Sequence, residues 1–349
     1  MTDTVRVAIT TPLHPDLRPL ITDVDPRIEL LVDDELLPPQ RYPGDHDGDP
    51  SFRRTAEQQA AFDALLAKAD VFYGIPDTRP AALAPAVRAN PNLRWVQTMA
   101  AGGGAQVKAA GLTPHELARV VFTTSAGVHG GTLAEFAVFG VLAGAKDLPR
   151  LRSLQRAKQW PGRWAMKQVS EQTVLIVGLG GIGSETARLL KGLGATVLGV
   201  KRTAEPVEHV DEVHTAAALP ELIARADAMV ITLPGTDATT GLIDRDLLAA
   251  AKPGIIVVNV GRGTVVDEPA LVDALRSGTV SSAYLDVFAT EPLPDESPLW
   301  EMPNVIVSPH TAALSPAEDR RIAELFADNL RRYLDGGTLR NVVDTRDFY

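Results

Sequence analysis

Cysteine is absent from these 349 residues. Thiol nucleophiles, cysteine-ligated zinc and disulfide staples are therefore excluded, and a reducing, cytoplasmic setting is the expectation that fits. Long apolar runs are missing too, so no stretch reads as a bilayer span. The opening residues, Met1-Thr2-Asp3-Thr4-Val5-Arg6, carry no leader pattern. Positive charge is in deficit: 34 Lys and Arg against 44 Asp and Glu leave a net charge of −10. That balance argues against a general nucleic-acid binder. No repeat or low-complexity tract is present. Histidine is sparse, at seven residues, and no pair has metal-ligand spacing, so no metal site is expected.

What is present is a long chain with 45% hydrophobic residues, natural for two domains. Its organising stretch runs from Thr173 to Gly183. The apolar, β-rich run Val174-Leu175-Ile176-Val177 ends in Gly178-x-Gly180-x-x-Gly183, and a helical pattern follows at once. Gly178 permits the tight turn, Gly180 lets a pyrophosphate approach the backbone, and Gly183 lets the helix pack on the sheet. The helix N-terminus then offers free N–H groups to phosphates. Gly178, Gly180, Gly181, Ile182 and Gly183 are thus a candidate dinucleotide cradle.

Before this motif, strand patterns at Val5–Ile9, Ile28–Val32, Val71–Tyr73, Leu93–Gln97 and Val120–Phe122 alternate with helical ones. They indicate a smaller, flavodoxin-like parallel α/β domain. The Pro38–Arg54 stretch reads as a surface loop. Thr132-Leu133-Ala134-Glu135 reads as a capping box opening an apolar helix that crosses into the second domain. From Val174 the expected strands are 174–177, 196–200, 228–233, 255–260, 282–287 and 305–308, a doubly wound sheet of order 3-2-1-4-5-6. Ser315-Pro316-Ala317-Glu318 reads as a second capping box, and the helix it opens is expected to return to the first domain. The expected layout is a discontinuous substrate domain, 1–122 with 313–349, around a Rossmann-type cofactor domain, 123–312, with the active site in the cleft between them.

Ligands of open α/β sheets bind past the carboxyl ends of the strands. There the second half presents Asn259-Val260-Gly261-Arg262-Gly263, Asp286-Val287-Phe288-Ala289-Thr290-Glu291-Pro292 and Ser308-Pro309-His310-Thr311. His310 can exchange the proton of an alcohol/ketone pair near neutral pH. Glu291 can bond the other ring nitrogen and stabilise imidazolium, and Arg262 can fork onto a carboxylate. These are the parts of a hydride-transfer site, with Arg262 and His310 lying where the nicotinamide half of a dinucleotide would also sit. The amides of Ala101, Gly102 and Gly103, after an early strand, can form a nest for the substrate carboxylate. His14, His46, His115, His129, His209 and His214 join no such constellation and read as solvated or structural.

Cofactor choice is read at the end of the second Rossmann strand. An acid there holds the ribose hydroxyls of NAD(H), whereas an Arg accommodates a 2′-phosphate. This chain places Lys201, Arg202 and Thr203 there, with no carboxylate from Leu198 to Ala204, so NADP(H) is preferred and NAD(H) stays possible.

These residues resemble the D-isomer-specific 2-hydroxyacid dehydrogenases. The segments that carry the resemblance are Leu93–Gly103, Gly131–Phe136, Val177–Gly183, Leu233–Gly241, Asn259–Leu271, Leu285–Pro294 and Pro303–Thr311. The resemblance implies reduction of 2-keto acids to D-2-hydroxy acids, or the reverse, by a homodimer. It assigns the catalytic set to Arg262, Glu291 and His310. It implies that Asp286 contacts the nicotinamide carboxamide, that Leu233, Pro234 and Thr239 line the cofactor, and that Val260 and Gly261 make backbone contacts near the nicotinamide. Residues 1–90 match only loosely. The brevity of the chain after its last helix resembles the short glyoxylate/hydroxypyruvate reductase branch. The alternative from another class is a dinucleotide-sensing, corepressor-like binding protein on the same fold.

Overall fold

The computed structural model describes residues 4–348 of the chain, which divides into two compact units. The first is formed by the chain up to His129 together with the chain from Leu314 onward. Its strands are β1 (Val5–Ile9), β2 (Ile28–Leu31), β3 (Val71–Tyr73), β4 (Trp95–Gln97) and β5 (Val121–Thr123). They pair in the order β2-β1-β3-β4-β5, all parallel, which is the flavodoxin-like order. Strands β3 and β4 are buried on both faces, and β3 accordingly reads as an unbroken apolar run, while β4 ends in the buried Gln97. The C-terminal helix Glu318–Leu334 belongs to this unit. Its Ile322, Phe326 and Leu330 are fully buried, and the Phe326 ring stacks on Trp95 with centroids 4.7 Å apart. The sequence suggests a break after Phe122. The chain stays with this unit through His129, because Val128 packs on its core and His129 bonds Glu318.

The second unit is Gly130–Ala313. Its strands are β6 (Thr173–Val177), β7 (Thr196–Val200), β8 (Glu212–His214), β9 (Ala228–Ile231), β10 (Ile255–Asn259), β11 (Val280–Leu285) and β12 (Val305–Val307). The sheet order is β12-β11-β10-β9-β6-β7-β8, all parallel. Side chains alternate between the two faces of β6: Leu175 and Val177 enter one core, Val174 and Ile176 the other. Helices therefore cover both faces, as a doubly wound sheet requires. The sheet has seven strands where the sequence reading has six. Strand β8 is short, half-exposed and polar at both ends, so it carries no apolar signature. It takes the outer edge, and 228–231 pairs between β6 and β10 instead.

Both expected capping boxes are corrected. The crossing helix starts at Gly130, so Thr132 lies inside its first turn and donates its hydroxyl to the Ala313 carbonyl at 2.9 Å. Gly140 and Gly144 lay this helix close on the sheet: a Cβ at either would stand 2.7 Å or less from Val258 or Ile256 of β10. The last helix starts at Glu318 with Ala317 as its uncapped N-cap. The Glu318 carboxylate turns to His129 rather than back to Ser315. Among the described residues, no helix is long and apolar enough to cross a membrane.

Candidate active site

The ends of β10, β11 and β12 are neighbours in the sheet, so the loops that follow them converge. After β10, the Asn259 side chain ties the turn: its Oδ1 accepts the Gly261 amide at 3.0 Å, and its Nδ2 donates to the Arg262 carbonyl at 3.2 Å. Arg262 is exposed, with Nη1 donating to the Gly261 carbonyl at 2.8 Å. The following residue must be glycine, because a Cβ on Gly263 would stand 1.8 Å from the Phe288 carbonyl carbon. The loops after β10 and β11 thus run backbone against backbone.

After β11, Glu291 folds back so that Oε1 accepts the Phe288 amide at 2.9 Å. Its Oε2 meets His310 Nδ1, from the loop after β12, at 2.7 Å. Partial burial pushes the Glu291 carboxyl up, but the bonds from His310 and Phe288 and the charges of His310 and Arg262 outweigh it, and the net shift is downward. Glu291 is therefore an anion at neutral pH. The His310 side chain is 42% exposed, and its Nε2 has no partner among the described residues. The structure brings Glu291 and His310 into contact with Arg262 close by, a geometry able to hold and pass a proton beside a guanidinium.

The candidate dinucleotide cradle is built by β6 and the helix Gly181–Gly192. Gly178 has φ +110°, and a Cβ on Gly183 would stand 1.9 Å from the Gly178 carbonyl oxygen. A Cβ built on Gly180 or Gly181 meets no atom within 4 Å, so the surface over them is open. The first amides of that helix, Gly181, Ile182 and Gly183, have no acceptor within it. A close-fitting turn below, open space above and unpaired amides fit a pyrophosphate. Lys201 follows β7 directly, its amide on the His214 carbonyl at 3.0 Å, and Arg202 and Thr203 beside it are exposed. Leu233 and Pro234 follow β9, and Thr239 closes their turn by donating to the Pro234 carbonyl at 2.6 Å. Val260 is buried against β9, its amide on the Ile231 carbonyl.

In the first unit, the glycine turn after β4 leaves Ala101 and Gly102 exposed. Gly103 departs from the expected nest. Its amide closes a turn onto the Ala100 carbonyl at 3.2 Å, and the residue is buried against Thr98.

Two groups of residues carry more than the sequence reading gave them. Asp286, Ser308 and Asn259 are buried polar residues that shape the active loops. Their signal was a polar residue closing an apolar strand. His46 and His129 are not solvated: with Glu318 and Asp319 they form a buried cluster in the first unit. Nothing local in the sequence joins residues so far apart.

The family model for the D-isomer specific 2-hydroxyacid dehydrogenase, NAD binding domain, matches residues 138–312. A glyoxylate/hydroxypyruvate reductase B from Serratia proteamaculans is 39% identical over 219 residues, 61% of this chain and 67% of that protein. The chain belongs to the D-isomer-specific 2-hydroxyacid dehydrogenases. As a member of this family it is an oxidoreductase working with a nicotinamide dinucleotide. A D-3-phosphoglycerate dehydrogenase from Mycobacterium bovis is 36% identical over 226 residues, 64% of this chain but only 42% of its own length. Among solved structures, a D-isomer specific 2-hydroxyacid dehydrogenase from Xanthobacter autotrophicus Py2, in complex with NADPH and MES, superposes with a TM-score of 0.77. It is 29% identical, and the match covers 99% of this chain and 100% of that one.

Proposed function

We propose that this dehydrogenase reduces a small 2-keto acid to the D-2-hydroxy acid, with NADPH preferred over NADH and with glyoxylate and hydroxypyruvate as the substrate class. The observation that carries this reading is the 2.7 Å contact between Glu291 and His310. A nicotinamide held over these strand ends would supply the hydride for the keto carbon. His310 gives its Nε2 proton to the keto oxygen, so the carbonyl becomes an alcohol. Glu291 holds Nδ1, fixes the tautomer and stabilises the imidazolium form. Arg262 has one guanidinium nitrogen committed to the Gly261 carbonyl and keeps its remaining donors for the substrate carboxylate. The free amides of Ala101 and Gly102 are proposed as further carboxylate donors, with Gly103 shaping their turn. Asp286, Val260, Gly261, Leu233, Pro234 and Thr239 are assigned to the cofactor's binding surface.

The NADP(H) preference rests on Lys201, Arg202 and Thr203 at the end of β7 and on the missing acid there. The NADPH bound to the Xanthobacter relative supports the same choice. A cytoplasmic homodimer is part of the proposal. Its interface is assigned to the crossing helix, where Phe139 stays 42% exposed, and to the segment after it, where Leu151, Met166 and the fully exposed Trp160 lie. Between Leu148 and Ser170 that segment carries Arg150, Arg152, Arg156, Lys158, Arg163 and Lys167 with no acid. A second copy of this acidic chain is its natural complement.

The test is oxidation of NADPH and NADH with glyoxylate, hydroxypyruvate and longer 2-keto acids, for wild type and Arg202→Ala. The expected result is faster turnover with NADPH, and a cofactor ratio that collapses in the variant. Preference for NADH, or an unmoved ratio, refutes the cofactor assignment. Tight cofactor binding with no turnover of any keto acid favours the corepressor-like reading.

A further inference from the structure

The loop that carries His310 is wrapped around one side chain. Asp286, which directly follows β11, is wholly buried. Its Oδ1 accepts three hydrogen bonds from the next strand's loop: the Ser308 hydroxyl at 2.5 Å, the Thr311 amide at 2.9 Å and the Ala312 amide at 3.0 Å. Its main-chain carbonyl accepts the His310 amide at 2.9 Å. Ser308 still follows the sheet, its amide on the Leu285 carbonyl. Between these fixed points His310 adopts φ +53°, in the left-handed region that side chains other than glycine rarely enter.

We propose that Asp286 is a positioning residue for His310. It is a buried staple that holds the imidazole against Glu291 by fixing the backbone on either side of it. The argument is geometric. Glu291 and His310 come from different loops, and their mutual placement needs a link between those loops. Glu291 follows Asp286 on the β11 loop, while the donors to Asp286 flank His310 on the β12 loop. One carboxylate oxygen therefore ties the base of the Glu291 loop to the path of the His310 loop. The strained conformation of His310 is one that the surroundings must over-determine, and the bonds at 308, 310, 311 and 312 do so. This role is distinct from the cofactor contact assigned to Asp286 above, because the oxygen that makes the staple is fully engaged by the chain itself. The other oxygen, Oδ2, is buried with no partner among the described residues.

The inference rests on His310 being the proton donor of the proposed reduction, and its test separates the two. Amide hydrogen exchange at Thr311 and Ala312 is measured in the cofactor-free protein, and kcat and KM are measured on the best keto acid. Asp286→Ala is expected to speed exchange at both amides by roughly tenfold or more, the equivalent of one net hydrogen bond. It should lower kcat by about 100-fold, while KM for the keto acid changes only a few-fold. Asp286→Asn keeps an acceptor oxygen at the same place and is expected to restore both protection and most of kcat. Should Asp286→Ala not fold, Ser308→Ala removes one donor and is expected to move both readouts in the same direction by a smaller factor. Wild-type protection in the Ala variant, or in the Ser308 variant used in its place, overturns the proposal. A rise in KM for NADPH with kcat held, equal in the Ala and Asn variants, overturns it as well. A wild-type protein inert toward every keto acid refutes the proposed reduction, whereas the exchange experiment still judges the staple.

Discussion

Two of the glutamate–histidine pairs among the described residues have nearly equal length and quite different settings. In the second unit, Glu291 meets His310 at 2.7 Å, with side chains 34% and 42% exposed. In the first, Glu318 meets His129 at 2.9 Å, with side chains 4% and 10% exposed. Both carboxyls are held below the ordinary glutamate range. Burial pushes each up, and hydrogen bonds and charge from their histidines, joined at Glu291 by the Phe288 amide and Arg262, more than reverse it. What differs is access. An imidazole that trades a proton with a substrate needs its second nitrogen on an open face, which His310 has. The Glu318 pair is sealed. There His46 stands 3.5 Å from the same carboxylate oxygen, and the adjoining Asp319 takes Gln40 at 2.9 Å and the Gly44 amide at 3.2 Å. That cluster ties the Pro38–Arg54 loop to the start of the last helix. The same two residue types therefore suit a proposed reactive pair or a brace according to how much water reaches them.

The comparison breaks most sharply by exchanging the roles. His310→Ala is expected to lower kcat/KM by about 100- to 10,000-fold while the denaturation midpoint stays close to wild type. His129→Ala is expected to do the reverse. It takes away the nearer of the two histidines that face a buried carboxylate, which costs about 1–3 kcal/mol in urea unfolding, with kcat/KM held within a few-fold. Comparable catalytic losses in both variants would erase the distinction.

Smaller effects sharpen it. Arg262→Lys keeps the charge but loses the planar fork, and an expected drop of about 10- to 100-fold in kcat/KM reports the lost charge-assisted bond. Glu291→Gln keeps a hydrogen-bond acceptor for Nδ1 but not the charge. It should lose less than His310→Ala and shift the pH–rate profile, because the carboxylate supports imidazolium without transferring the proton. An unmoved profile would deny Glu291 that part.

The smallest effect is on the acid side of the stability curve. Glu318 titrates lower in the folded chain than the ordinary glutamate value of about 4.3. The stabilisation it gives is complete above that value and is lost as pH falls through the folded value. Urea titrations from pH 5 downward should therefore show a shallower decline for Glu318→Gln than for wild type. Glu291→Gln should flatten the curve less, since solvent screens a half-exposed pair.

Much of the fold was legible because its strongest signals are local. The apolar runs Val174–Val177, Ile255–Val258 and Ala283–Leu285, each followed by glycine or a polar residue, mark strand ends, and the strand-end rule picks out Arg262, Glu291 and His310 together. Strand β8 escaped because a half-exposed edge strand of three residues has no fully buried side to advertise it. The capping boxes misled because their spacing states what a side chain can do, while tertiary partners decided what it does. Thr132 found the Ala313 carbonyl and Glu318 found His129. The brace around Glu318 was illegible for a plainer reason: its members are distant in sequence and share no period.

The return of the last helix to the first unit has a consequence for the order in which the chain becomes a protein on the ribosome. Trp95 and Tyr73 are capped by Phe326, and Gln97 meets Asn329 from 232 positions further along. A nascent chain therefore exposes the uncovered face of the first sheet during the whole time that the second unit is being made. The second unit, made of one continuous segment, can close as soon as it emerges, whereas the first waits for the helix Glu318–Leu334. The half of the molecule that is translated first is thus completed last.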